Sequence, residues 1–199
     1  MFAKLTAPKL VVLGTGLFFA ATAMAQVVPQ AMPDSQVGQS IADIFRTASG
    51  ADIAFVASGF LTQTRDGKNL AASFQFPLDE LWVVNLTGKQ LNDAFERSLS
   101  FYPEPCPDTL YFSGTEVTFQ AAKTSRPKIL GATVSGIPID PAKNYKVSMP
   151  ASLARGGLSY FTVWNFQRPE KVISTSISKL LDGKSVQTST LRWLSRQSL

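Results

Sequence analysis

Apolar residues recur along this chain in two rhythms, and the change between them marks out the elements. Val37, Ile41, Ile44, Phe45 and Ala48 fall at helical spacing with Gly50 as a stop, which predicts an amphipathic helix over 37–49. "DIAFVAS" (52–58) follows as a short apolar strand, and "GFLTQTRDGKNL" after it is polar and turn-rich, hence a loop. "LWVVNL" (81–86) predicts a second strand. Thr87-Gly88 breaks it, and Leu91, Ala94, Phe95 and Leu99 mark a second helix. "TLYFSG", "EVTFQA", "ILGATVS" and "YKVSMP" are short, β-rich and separated by Gly, Pro, Asp or Asn, so strands follow in succession. A third helix around Ser176 to Leu181 and a closing strand near Thr190 to Leu194 complete the pattern. Helix–strand pairs first and a strand meander later predict a single α+β domain over 37–199, a mixed β-sheet with packed helices.

The N-terminus follows a third pattern. Lys4 and Lys9 precede an apolar run from Leu10 to Ala21, and Ala23-Met24-Ala25 supplies small residues where a signal peptidase cuts. Residues 1–25 therefore read as a signal peptide, with Gln26 as the mature start and 26–36 as a flexible leader. Gln26 is not a cysteine, which argues against a lipid anchor. No later stretch is long and apolar enough to span a bilayer. The expected location is exported, in the periplasm or outside the cell. Cleavage leaves 174 of the 199 residues, enough for one domain that buries about 70% of its extended-chain surface.

Charge and chemistry then exclude several functions. The net charge of +5 includes Lys4 and Lys9, so the mature chain carries +3, without a basic run. Arg65 and Lys68, and Lys123, Arg126 and Lys128, read as solvated loop charges rather than a nucleic-acid footprint. The chain has no histidine and one cysteine. Ser-His-Asp and Cys-His catalysis and the usual zinc sites are thereby removed. Cys106 sits between prolines and reads as a bystander thiol in a loop. Asp79 and Glu80, adjacent acids at a strand start, read as solvent-facing. No metal, cofactor or catalytic residue is expected. The stretch that invites a ligand is "SMPASLARGGLSYF" (148–161), with a Gly-Gly pair and two aromatics after a strand.

The order of segments resembles a known family. "IADIFRTASGADIAFVASG", "VVNLTGKQLNDAFE", "VSGIPIDPAKNYKV" and "ARGGLSYF" are similar, in sequence and in order, to the C-terminal domain of the bacterial 5′-nucleotidases, from about Val37 to Leu194. Members of that family are exported enzymes of nucleotide breakdown. Their N-terminal domain is a metallophosphoesterase with two metals held largely by His, Asp and Asn, and their C-terminal domain holds the nucleoside. The resemblance implies a stand-alone copy of the second domain. The chain has neither the length nor the histidines for the first, so the resemblance implies no enzyme on its own.

The family's ligand groups have changed at three places. Its first loop reads Asn-Ser-Gly-Gly-Ile-Arg; Ser58 and Gly59 persist here, but Phe60 replaces the second Gly and Thr62 the Arg, removing a fixed cationic fork. Its Pro-Phe-Gly-Asn stretch, whose Phe stacks on the base, becomes Phe76-Pro77-Leu78-Asp79, with the aromatic displaced by one. The second stacking aromatic, a few residues before Gly-Gly-Asp-Gly-Tyr, is Ser152. The Asp of that motif is Leu158, while Gly156, Gly157 and Tyr160 remain.

Three readings stay open for these positions. The glycines and Ser58 persist for the backbone turns alone, which the combined loss of ligand groups favours. A pocket lined by Phe60, Phe76, Arg155 and Tyr160 has been turned to another small ligand. Or weak nucleotide binding survives. The candidate ligand residues are Ser58, Gly59, Phe60, Phe76, Arg155, Gly156, Gly157 and Tyr160. The expected role is a noncatalytic binding or accessory module with a degenerate site. The alternatives are a substrate-binding subunit acting with a separate metallophosphoesterase chain, or a surface interaction domain.

Overall fold

The structure is a computed structural model that describes residues 27–29, 35–63, 66–121, 126–190 and 192–196. The expected signal peptide, most of the leader, Arg65 and Lys123 lie outside the described residues.

The chain runs β1 (Val27–Pro29), α1 (Ser35–Ser49), β2 (Ile53–Ala57), β3 (Leu81–Thr87), α2 (Gly88–Ser98), β4 (Leu110–Ser113), β5 (Thr115–Gln120), β6 (Lys128–Val134), β7 (Ile137–Pro138), β8 (Asn144–Pro150), α3 (Ala151–Ala154), β9 (Lys171–Ser174), α4 (Ile177–Leu181) and β10 (Trp193–Arg196). The α+β class expected from the pattern is what forms. The strands divide into two mixed five-stranded sheets instead of one, ordered β4-β2-β8-β3-β9 and β1-β10-β5-β6-β7. Part of the segment read as a flexible leader is a strand, because Val27–Pro29 pairs antiparallel with β10.

All five residues of β2 are buried, which suits a run of apolar residues with no alternation. It lies between β4 (antiparallel) and β8 (parallel), and is covered on both faces. On one face α1 presents Val37, Ile41, Ala42 and Phe45. Gly38 lets α1 sit against Tyr111 of β4, since a Cβ there would fall 2.1 Å from the ring. On the other face Phe55 meets Phe95 of α2 edge-on, with centroids 6.1 Å apart. Phe95 in turn meets Phe112 and Trp193, which also touches Phe119. This aromatic block joins the sheets, and the Trp193 indole donates to the Leu110 carbonyl at 3.0 Å. Edge-to-face ring pairs add about 0.5–1.5 kcal/mol each beyond area burial.

Helix α2 begins on a capping box. The Thr87 hydroxyl accepts from the Gln90 amide, and the Gln90 side chain accepts from the Thr87 amide. The pair satisfies two orphan donors that a helix start otherwise leaves open. Ile44 and Ala48 of α1 were expected on its core face, but they are only half-buried and exposed. With Leu180, Lys184 and Gln187 they line a cleft of about 570 Å³ between α1 and the end of α4.

Candidate functional site

The candidate residues gather around the C-terminal ends of β2 and β8. After β2 the chain enters a short 3-10 turn, Ser58–Phe60. The Ser58 amide donates to the Thr109 carbonyl at 2.8 Å and the Gly59 amide to the Pro107 carbonyl at 2.7 Å. Both backbone donors are spent on the 107–109 loop. A Cβ on Gly59 would fall 2.9 Å from Pro107 Cβ, so that loop is also why the glycine is retained.

Phe60 points into the core and is buried, with its ring 6.1 Å from Phe74. It does not stand in a pocket as the second sequence reading expected. Phe76 meets Phe60 edge-on at 5.6 Å and is 47% exposed. The 76–79 segment is fastened to α4: the Pro77 carbonyl accepts from Ser176 Oγ at 2.9 Å and from the Ser178 amide at 3.1 Å. Asp79, expected to face solvent, accepts from both the amide and the hydroxyl of Ser152 at the start of α3. The replacement of an aromatic by Ser152 therefore closes the chain upon itself. Thr62 donates its amide to the Ser73 carbonyl at 2.9 Å. Of these altered positions Ser152 uses its side chain in an intrachain hydrogen bond, and Thr62 and Pro77 are tied through their backbone.

The Gly-Gly turn follows α3, an element the sequence pattern did not reveal because it has only four residues. Gly156 has φ +91°, and a Cβ there would fall 2.8 Å from Phe161 Cβ. Gly157 has no such φ; its constraint is the Ser152 carbonyl, 2.7 Å from where a Cβ would sit. The positive φ of the pair therefore belongs to Gly156 alone. Leu158 and Ser159 then take φ 54° and 61°, left-handed values uncommon outside glycine.

Tyr160 is wholly buried. Its hydroxyl donates to the Asp108 carbonyl at 2.6 Å, and its ring stacks on Trp164 with centroids 4.8 Å apart. Arg97 lies over the same ring at 5.5 Å and pairs with the buried Asp108 carboxylate at 2.8 Å. Burial pushes the Tyr160 phenol well above the usual tyrosine range, with the Asp108 charge acting the same way. Burial likewise raises the Cys106 thiol, and Asp108 beside it adds to the effect. A raised thiol pKa lowers the fraction of reactive thiolate, which agrees with Cys106 as a bystander.

Arg155 turns away from Phe60, Phe76 and Tyr160. Its guanidinium lies 4.3 Å from the Trp82 ring centroid and 6.0 Å from that of Phe166. The four residues expected to line one pocket are thus split among the core, an exposed edge and a separate stack. Sequence reasoning missed Trp82, Phe161 and Phe166. The two phenylalanines lie in "YFTVWNF", and only their exposure, at 63% and 61%, distinguishes them from core rings. Among the described residues no three His, Cys, Asp or Glu gather as metal ligands, and no helix is long and apolar enough to cross a membrane.

The family model for the 5′-nucleotidase C-terminal domain matches residues 17–165. The chain belongs to that family. The match begins inside the segment read as a signal peptide. Among solved structures, the chain is similar to a 5′-nucleotidase precursor from Thermus thermophilus, with 17% identity and TM-score 0.62 over 82% of this chain and 36% of that one. It is also similar to the NAD nucleotidase of Haemophilus influenzae, with 14% identity and TM-score 0.62 over 88% of this chain and 37% of that one. A putative 5′-nucleotidase from Staphylococcus aureus gives 17% identity and TM-score 0.60, over 81% and 36%. The chain thus spans little more than a third of the length of these structures, and the likeness is one of fold. A search among curated proteins finds no match. The domain is the C-terminal part of a hydrolase family.

Proposed function

We propose that this chain is an exported, noncatalytic binding or accessory module whose nucleoside site has been closed by its own side chains. The observation that carries the reading is the burial of Tyr160, with its hydroxyl on the Asp108 carbonyl. The hydrogen bonding of Ser58, Gly59 and Ser152 within the chain supports it. A two-metal phosphoesterase centre needs clustered ligands to activate water and offset charge on phosphate. No histidine is present to join such a cluster. The chemistry of this family's substrates would then need residues from outside this domain. Export rests on the Lys4–Lys9 start, the apolar run and Ala23-Met24-Ala25, and predicts a mature protein beginning at Gln26.

The exposed rings of Phe161 and Phe166 favour a second reading, in which the domain works beside a separate metallophosphoesterase chain. One experiment separates the two readings. Purified protein is incubated with nucleosides, 5′-nucleotides and UDP-sugars, with and without divalent metal, while melting temperature and phosphate release are followed. The expected result is no phosphate release and no nucleoside-specific stabilisation. A ligand at 100 times its Kd would stabilise the native state by about 2.7 kcal/mol. Stabilisation of that size by adenosine, or metal-dependent phosphate release, would overturn the closed-site reading.

A further inference from the structure

The Arg155 stack has features of a recognition surface rather than of a structural contact. The Trp82 ring beneath the guanidinium is buried, and its indole is fixed by donation to Glu80 Oε2 at 2.7 Å. The Phe166 ring centroid lies 6.0 Å from the same guanidinium, and the backbone beside it is fixed where the Gln167 amide donates to the Ala154 carbonyl at 3.0 Å. Arg155 is exposed and its side chain makes ring contacts only, with no hydrogen bond or ion pair among the described residues. A guanidinium that meets rings and makes no hydrogen bond keeps its N–H groups free. Its edge presents parallel N–H groups which match a carboxylate.

Apart from Glu80 on the Trp82 indole, the neighbours of the stack are apolar. Val172, 44% exposed, is the cross-strand partner of Trp82. Phe161 packs its backbone against Gly156, next to Arg155, and exposes its ring. A cation without an ion pair, over a buried ring and with exposed rings close by in the chain, has the composition of an interface centre, where Arg and aromatics dominate binding energy. The contact with Trp82 also removes part of the ordering cost that a flexible arginine would meet on binding.

We propose that Arg155, with Trp82, Phe161, Phe166 and Val172 around it, docks a segment of a partner protein that carries an Asp or Glu carboxylate flanked by apolar side chains. Charge complementarity selects the occupant: the free guanidinium edge takes the carboxylate, and the rings take the flanking groups. This deepens the accessory reading by giving it a partner chemistry, and it involves none of the residues that close the nucleoside site.

The probe is a synthetic peptide, acetyl-Leu-Phe-Asp-Phe-Leu-amide, titrated into the protein beside its Asn counterpart. Binding is followed by the NMR signals of the Trp82 indole and the Arg155 Nε–H. The expected result is that the Asp peptide shifts the Trp82 signal and binds about tenfold tighter than the Asn peptide, the scale of a charge-assisted hydrogen bond. Arg155→Gln, at an exposed position, should keep the melting temperature and abolish that difference, read at the Trp82 indole. Phe166→Ser should weaken both peptides while the preference for Asp remains. Equal affinity for the two peptides, or an undiminished preference in Arg155→Gln, would sink the proposal. AMP shifting the same signals and displacing the peptide would also sink it, in favour of a nucleotide at this edge. Because the closed-site reading is tested by nucleosides and this one by peptides, either can fail alone.

Discussion

The Tyr160 hydroxyl donates to the Asp108 carbonyl at 2.6 Å across 52 residues of sequence, and this bond takes the tyrosine of the Gly-Gly motif out of any binding surface. Its phenol is raised well above the usual range, first by burial and then by the Asp108 charge. The native state therefore keeps a proton that the unfolded chain gives up near pH 10. The stability due to this group is complete below that value and is lost as pH rises above it, by about 1.4 kcal/mol per pH unit. Tyr160→Phe should be less stable at pH 8 by about 1–2 kcal/mol, from the lost hydrogen bond and the carbonyl left unpaired. Its stability should then fall less steeply on the alkaline side. Urea unfolding at pH 8, 10 and 11 tests this; a gap that stays constant across the series contradicts it.

The neighbouring ion pair yields a second prediction. Arg97 Nη2 lies 2.8 Å from Asp108 Oδ2, and the carboxylate side chain is only 6% exposed. Arg97→Met would leave that charge buried and uncompensated, a loss of about 3–5 kcal/mol in comparable cases. Adding Asp108→Leu should recover part of the loss, because an apolar pair needs no compensation. Denaturant midpoints of the three variants decide it. A double variant less stable than the sum of the two singles would show that the pair is not what Arg97 provides.

Legibility in the sequence depended on how far each feature was set by local pattern. The helix over 37–49 emerged as α1 and the run at 52–58 as β2, because spacing and an unbroken apolar run report burial directly. The aromatic core residues Phe45, Phe55, Phe74, Phe95, Phe112 and Phe119 are all buried, as their positions implied. Strands β7 and β9 and helix α3, two to four residues long, were not legible, whereas β4, equally short, was marked by its run of β-favouring residues between turn residues. The split into two sheets falls between β4 and β5, at Gly114 with φ 84°, and the parallel pairing of β10 with β5 is a long-range choice with no local mark. At the site, the motif located the turns but gave no direction to the side chains. Arg155 and Tyr160 are five residues apart and lie on opposite sides of a turn through left-handed Leu158 and Ser159, so they never share a pocket.

Phe60 and Phe76 separate the closed site from a repurposed one. Their rings touch at 5.6 Å, but one is buried and the other is half in solvent. Phe60→Ala should cost about 3–5 kcal/mol, the usual range for a buried ring. Phe76→Ala should cost less than half as much, because much of its surface is never removed from water. A working pocket would give another pattern, with melting temperature nearly unchanged by Phe60→Ala and ligand stabilisation lost. Thermal unfolding of both variants distinguishes the cases.

The Gly-Gly turn offers the finest test of local geometry, because Gly156, Gly157 and Ser159 are constrained for different reasons. Gly156→Ala meets two penalties: a left-handed φ of +91° and a Cβ 2.8 Å from Phe161 Cβ. Gly157→Ala meets only the Ser152 carbonyl at 2.7 Å, with no left-handed strain. Ser159, at φ 61°, lies in the region where an L residue is disfavoured by about 1–2 kcal/mol. Ser159→Gly relieves that strain but adds freedom to the unfolded chain, which takes back about 0.4–1 kcal/mol. The net expectation is a gain of a few tenths to about 1 kcal/mol for Ser159→Gly, and a larger loss for Gly156→Ala than for Gly157→Ala. Equilibrium unfolding of the three single variants gives the order. If Gly157→Ala proves the most damaging, the close approach of the Ser152 carbonyl outweighs backbone conformation, and the turn is held by α3 rather than by glycine's freedom at 156.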